Sequence, residues 1–372
     1  MGARRGAARG LAELTVDGAG AVLAIRLRAM GDVVLTTPAL ASLAAGHPGR
    51  PLVVATDERY AELIEPLPFV SRVLRVSRDS RSTVRVAMAA RDLGVRLAVD
   101  FFGNTRSALI AKLSGAARVF GYDLRGRRAL YDATVPRETR MAGDRREHAS
   151  AVHLRLARAA GGADVPLRPH VAVTDAARAQ ASELLARAGV TPGARPVGLV
   201  AAGTWATKTW PVSHAARLAN ELLSAGHEVL VLDGPGEAAV TRRLLAHAPG
   251  VRVLPPCGLT ALVAVIERLR AVVGTDSGPR HLAAALGVPT FAWFGPTHPD
   301  TWNPPGELHG YWRTPLPCRG CDRTACAHWN CLALLGGAEA SGLVLAHLEK
   351  HAGGEASGLV QAQARPNAGA VS

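Results

Sequence analysis

Lysine is scarce in this sequence. Lys112, Lys208 and Lys350 are its only lysines among 43 Lys and Arg residues. Such a bias toward arginine fits a GC-rich genome as well as it fits an anionic partner. The net charge of +13 therefore names no ligand by itself. Aromatic residues make up only 4% of the chain, which leaves Ala, Leu and Val to build the core. No run of about 18 apolar residues escapes a charge or a Gly/Pro break, so no membrane-spanning helix is expected. There is no aromatic-interleaved basic patch, zinc finger or RNP pattern, which sets nucleic acid aside. The dinucleotide fingerprint G-x-G-x-x-G is missing too.

What is present is 48% hydrophobic residue content in 372 residues, enough for two cored domains. Short apolar runs alternate with helical stretches. "AVLAIRL" (21–27), "PLVVAT" (51–56), "RVLRV" (72–76) and "RLAVDFF" (96–102) read as strands. A second series starts after "TPGARP": 197–203, 227–234, 251–254, 270–274 and 289–295. Strands apolar throughout and joined by helices predict parallel sheets covered on both faces. The chain is expected to hold two doubly wound, Rossmann-like α/β domains, 21–170 and 171–350, with the seam within 165–195. A closing helix is expected after 335. Residues 1–20 are basic but lack an apolar core, so they read as a flexible leader and not a signal peptide. Residues 351–372, rich in Gly, Ala and Gln, read as a flexible tail. Residues 51–150 carry eighteen Lys and Arg against twelve Asp and Glu. That surplus suits an anionic partner.

Four stretches sit where strands turn into helices. In "RLRAMGDVVLTTPAL", Gly31 lets a ligand approach the backbone, and Asp32 lies where helix amides favour a carboxylate, as N-cap or as reacting group. In "AAGTWATKTWPVSHAARL", Thr204, Thr207 and Lys208 follow a strand. In a chain that writes arginine nearly everywhere, Lys208 suits a phosphate as a compact point charge. "LDGPGEAAV" places Glu237 at a helix start, either as a cap or as an acceptor for ribose hydroxyls. In "GTDSGPRHLAAALG", Asp276 can cap the helix, and the amides of Ser277 and Gly278 can meet an anion. Pro279 fits its first turn, and His281 faces either core or ligand.

A fifth stretch, "CRGCDRTACAHWNC", holds Cys318, Cys321, Cys326 and Cys331, with His328 among them. Four thiolates could hold a structural zinc or an iron–sulfur cluster, although the spacing is not a standard zinc pattern. Plain thiols or a loop disulfide are the alternatives.

Taken together, "RLRAMGDVVLTTPAL", "KTWPVSHAARLA", "GTDSGPRHLAAALGVPTFAWFGPTHPDTW" and the late cysteines resemble glycosyltransferase family 9, the ADP-heptose–lipopolysaccharide heptosyltransferases. The cysteine segment resembles the second-heptose branch. The resemblance spans about residues 22 to 335 and implies a GT-B fold, with an acceptor domain followed by a nucleotide-sugar domain facing it across a cleft. It implies inverting transfer with no required cofactor or catalytic metal, in the cytoplasm at the inner face of the inner membrane. By match, Asp32 would be the general base. Lys208 would contact the diphosphate, Glu237 the ribose and Asp276 the sugar hydroxyls. Thr204, Thr207, Ser277, Gly278 and His281 complete the implied donor site. Gly31, Arg125, Arg127 and Arg128 would meet an anionic glycolipid acceptor. Three other readings are open: another nucleotide sugar for a different glycan, a metal- or redox-binding protein built on the cysteines, and a sugar epimerase of the same fold.

Overall fold

The computed structural model describes residues 20–137, 140–142, 144–328 and 331–351. Apart from Gly20 and His351, the expected leader and tail lie outside the described residues. The chain divides after Thr174 into two compact units.

In the first unit, β1 (Ala21–Ile25), β2 (Leu52–Asp57), β3 (Arg72–Val76), β4 (Val95–Asp100), β5 (Arg118–Tyr122) and β6 (Ala133–Val135) form one sheet in the order β3-β2-β1-β4-β5-β6. Neighbouring strands are parallel. The helices are α1 (Met30–Gly46), α2 (Ala61–Ile64), α3 (Arg81–Asp92), α4 (Thr105–Leu113) and α5 (Ala149–Ala159). Val33, Leu40 and Leu43 of α1 and Val152 and Leu156 of α5 pack on one face of the sheet. Val86 and Ala90 of α3 and Ala108 and Ile110 of α4 pack on the other. Leu23 and Ile25 of the central strand are fully buried. Burying each such side chain contributes about 1.5–3 kcal/mol.

The second unit repeats the plan. It comprises β7 (Val197–Val200), β8 (Val229–Val231), β9 (Arg252–Val253), β10 (Ala271–Thr275), β11 (Thr290–Phe294) and β12 (His309–Arg313). Their order is β12-β11-β10-β7-β8-β9, again parallel. Counted within the unit, this is the order of the first sheet. Its helices are α6 (Asp175–Arg187), α7 (Val212–Ser224), α8 (Ala238–His247), α9 (Leu259–Glu267), α10 (Gly278–Ala285), α11 (Pro299–Trp302) and α12 (Gly337–Lys350), the last being the expected closing helix.

Three strands have no counterpart in the sequence reading. In β5, "RVFGY", a glycine and an arginine break the apolar run. With three residues, β6 is too short to show a period. "HGYWR" of β12 is a half-exposed edge strand. Each is held by its neighbour's ladder and not by its own pattern.

Pro38 lies inside α1 and cannot donate to the Val34 carbonyl. The Thr37 hydroxyl takes that place, donating to Val34 O at 2.7 Å, and accepts from the His170 amide at 2.7 Å. The helix continues through the proline because the next residue back supplies the missing donor.

β12 and α12 bring two neutral histidines into the fold. Burial pushes His309 down to about 4, with nearby Arg280 adding to it. Burial, then His351, pushes His347 down to about 4. The unfolded chain binds these protons near pH 6.5, well before the folded one does. Their contribution is thus complete above about pH 6.5 and is lost as pH falls toward about 4. Between about pH 7.5 and pH 5, each should cost up to roughly 2 kcal/mol. The melting temperature should fall over that window, and a His309→Asn/His347→Leu variant should flatten the fall. An equally steep fall in the variant would assign the acid sensitivity elsewhere.

Candidate functional site

In a doubly wound sheet the loops leaving the first and fourth strands diverge, opening a crevice at the strands' carboxyl edge. In the first unit these strands are β1 and β4. Arg26 follows β1, and its side chain is buried. Its Nη1 donates to the carbonyl of Phe101, just past β4, at 2.7 Å. Its Nη2 is ion-paired with Asp32. Asp32 is the third residue of α1, and its Oδ2 accepts from the amide of Ala29 at 3.2 Å. The N-cap is therefore Ala29, and Asp32 reaches back to it. The carboxylate is held from two sides yet 28% exposed. Gly31 sits beside it in the same first turn.

The β4 loop is fixed in turn by Asp100, which is fully buried. Burial pushes its carboxyl up, and the amides of Phe102 and Gly103 and the hydroxyls of Ser107 and Tyr131 donate to it. Arg26 and Arg28 place their guanidinium groups 5.4 and 5.9 Å from the Phe102 ring. Arg125, Arg127 and Arg128 lie in the loop after β5. Arg125 and Arg128 are exposed, and Arg128 is 3.6 Å from Asp123. Arg127 is half-buried, and its Nε has no partner among the described residues.

In the second unit the diverging loops follow β7 and β10. Gly274 near the end of β10 has a φ of 141°, and a Cβ there would lie 2.2 Å from the Val200 carbonyl oxygen. Only glycine lets the two strands approach so closely. The next residues are Thr275 and Asp276. The Asp276 carboxylate does not cap α10, as the sequence suggested; Ser277 occupies that position, without a side-chain bond. Instead Asp276 is buried, and both its oxygens are engaged. Oδ2 accepts from Lys208 Nζ and Thr297 Oγ1, each at 3.0 Å. Oδ1 accepts from Arg280 Nη2 at 3.0 Å and lies 3.7 Å from His281 Nε2. Burial alone would push the carboxyl up. The charges of Lys208, Arg280 and His281 outweigh it and hold Asp276 well below the usual carboxylate range.

Lys208 ends a short 3-10 turn over Ala206–Lys208 and lies 4.7 Å from the Trp205 ring centre. Arg280 is fully buried and also donates to the carbonyl of Trp302 at 2.6 Å and to Asn303 Oδ1 at 2.9 Å. Two cations thus share one carboxylate beside the amides of Ser277 and Gly278. The surplus positive charge and the free helix-end donors suit an anion.

Other expected residues are placed differently. Thr204 is exposed in the loop. Thr207 is buried, and its hydroxyl donates to the Arg323 carbonyl at 2.8 Å; it binds the cysteine-rich loop and is not aimed outward. Glu237 is the N-cap residue of α8, and its Oε2 accepts from the Gly234 amide at 3.0 Å. Burial pushes that carboxyl up against the Gly234 bond, and Asp233 adds to the rise.

The four late cysteines do not complete a metal-holding group among the described residues. Cys318, Cys321 and Cys326 are exposed and Cys331 is half-buried, and none of the four is in a disulfide. Among the described residues, no three His, Cys, Asp or Glu side chains converge to hold a metal ion. Burial pushes the Cys331 thiol up, and nearby Cys318 and Cys321 add to the rise, so these three thiols approach one another in the loop.

Arg26, Arg280 and Thr297 were not singled out from the sequence. For Arg280 a signal existed: it stands four residues after Asp276, the spacing that lets two helical side chains meet.

The sequence profile of glycosyltransferase family 9 (heptosyltransferase) matches residues 88–330. Lipopolysaccharide heptosyltransferase 1 of Pseudomonas aeruginosa is 29% identical over 319 residues, which is 82% of this chain and 87% of that protein. Among solved structures, a family 9 glycosyl transferase from Veillonella parvula superposes with a TM-score of 0.75 at 19% identity, covering 89% of this chain and 97% of that one. Escherichia coli ADP-heptose lipopolysaccharide heptosyltransferase II gives 0.73 at 20% identity, covering 89% and 99%. Both sheets of this chain accord with that GT-B architecture.

Proposed function

The chain belongs to glycosyltransferase family 9, and from that premise we propose that it moves heptose from ADP-heptose to a lipopolysaccharide core, with inversion and with no cofactor required. The observation that carries the reading is Lys208, held over the β7/β10 switch point beside the amides that open α10.

An acceptor hydroxyl is a poor nucleophile at neutral pH. Asp32 takes its proton as the new bond to the anomeric carbon forms. The bond from that carbon to the β-phosphate oxygen breaks, and ADP leaves with the electron pair. Lys208 and the amides of Ser277 and Gly278 receive the charge that develops there. Thr204, Glu237 and His281 belong to the donor side, with Glu237 toward the ribose. Asp276 acts first by holding Lys208. Gly31, Arg125, Arg127 and Arg128 belong to the acceptor side, where the acceptor carries phosphate and carboxylate groups. Because that acceptor is a glycolipid, the protein works in the cytoplasm, associated peripherally with the inner face of the inner membrane.

The test is ADP release from ADP-heptose with heptose-free lipopolysaccharide, with lipopolysaccharide bearing one heptose, and with none. Release should require an acceptor, and the acceptor that supports it assigns the first- or second-heptose step. Equal release in all three arms would overturn the proposal in favour of hydrolysis or epimerisation.

Lys208→Ala should weaken ADP binding by about 10-fold or more, and Lys208→Arg should restore only part of it, because a planar fork replaces a point charge. Calorimetric titration with ADP checks this. Unchanged affinity in Lys208→Ala would remove the lysine from the donor site.

A further inference from the structure

α3 and α4 pack side by side on one face of the first sheet. Arg106 of α4 ties their starts together, donating to Thr83 Oγ1 at 2.8 Å and to the carbonyls of Ser77 and Asp79 at 2.7 and 2.8 Å. The outward side of this pair is unusual. Val84 and Met88 of α3 are 55% and 43% exposed, and Leu109 and Leu113 of α4 are 40% and 46% exposed. These are four of the nine large apolar side chains exposed among the described residues, gathered on two adjacent helices. At i and i+4 on each helix, they form two short apolar stripes.

The same surface is basic. Arg81, Arg85 and Arg91 of α3 and Lys112 of α4 are exposed, and none is ion-paired among the described residues. Asp92 is the only acid within the two helices. Apolar side chains interleaved with unpaired cations match the boundary between acyl chains and anionic headgroups. The apolar tips can enter that boundary while the arginine stems lie along it and keep their charges among the headgroups. A polyanion in solution would use the arginines and leave all four apolar side chains in water.

We propose that the α3–α4 face is the surface by which this protein docks on an anionic lipid bilayer. The proposal rests on the lipid-borne acceptor of the preceding section only for its purpose. Both helices begin where their strands end, so their first turns lie at the same edge of the sheet as Asp32. Docking on this face would hold the base near the plane in which a lipid-anchored acceptor is presented.

The test uses the full chain and two vesicle compositions: phosphatidylethanolamine with phosphatidylglycerol, and phosphatidylcholine alone. The wild type should co-sediment with the anionic vesicles about 10-fold or more better than with the neutral ones. Met88→Ser/Leu113→Ser and Arg81→Gln/Arg85→Gln/Lys112→Gln should each lower anionic-vesicle binding by about 10-fold. Added salt should weaken the wild type more than the arginine-and-lysine variant. Transfer to a detergent-dispersed acceptor should be unchanged in both variants, and melting curves check their folding. Failure of transfer by the wild type would strike the proposed function and leave vesicle binding standing. No preference for anionic vesicles, or full binding by both variants, would overturn the docking face. So would self-association in solution that Met88→Ser/Leu113→Ser abolishes, since a second copy would then cover the patch.

Discussion

An Asp32→Asn variant should fold, bind the ADP-sugar with near-normal affinity and lose about 100-fold or more in turnover. The asparagine oxygen can still accept from Arg26 or from the Ala29 amide, so the start of α1 should survive. What disappears is the capacity to take a proton from a hydroxyl. Steady-state rates with saturating donor and acceptor, beside a donor titration, separate chemistry from binding. Turnover within a few-fold of wild type in a folded variant would leave Asp32 only the task of anchoring its helix.

Asp276→Ala should be the most destabilising single change in the second unit. It leaves Lys208 and the fully buried Arg280 facing each other without the carboxylate they share. Breaking a buried pair from one side typically costs about 3–5 kcal/mol. For a unit of this size that lowers the melting temperature by roughly 10 °C. Adding Arg280→Leu should recover part of the loss, because one unpaired buried charge is removed with its partner. A melting temperature for Asp276→Ala within a degree or two of wild type would mean that water or another group already compensates these cations.

The alternation of apolar strands and helices made the two parallel sheets legible, and Asp32, Lys208 and Asp276 stood out because polar residues at strand ends are conspicuous. What they do to one another was less legible. Asp276 read as a cap because one dimension shows only the helix it precedes. Its real partners come from β7's loop, from the next helical turn and from the loop after β11. Arg26 was hidden as an ordinary basic residue at the end of a strand. It matters because Phe101, seventy-five positions away, offers it a carbonyl. For the cysteines, closeness along the chain carried over in part: Cys318 and Cys321 lie near Cys331, but no metal-holding group is formed among the described residues. β5, β6 and β12 escaped because they depend on their neighbours for their conformation.

A lysine on an open surface moves among many rotamers, and fixing it costs about 2 kcal/mol of conformational entropy. Lys208 is only 16% exposed; it is set over Trp205 and bonded to Asp276. Most of that freedom is lost when the chain folds, before any ligand arrives. A phosphate reaching this turn therefore meets an ammonium already in position, and the ordering cost falls on the stability of the second unit and not on the affinity of the site.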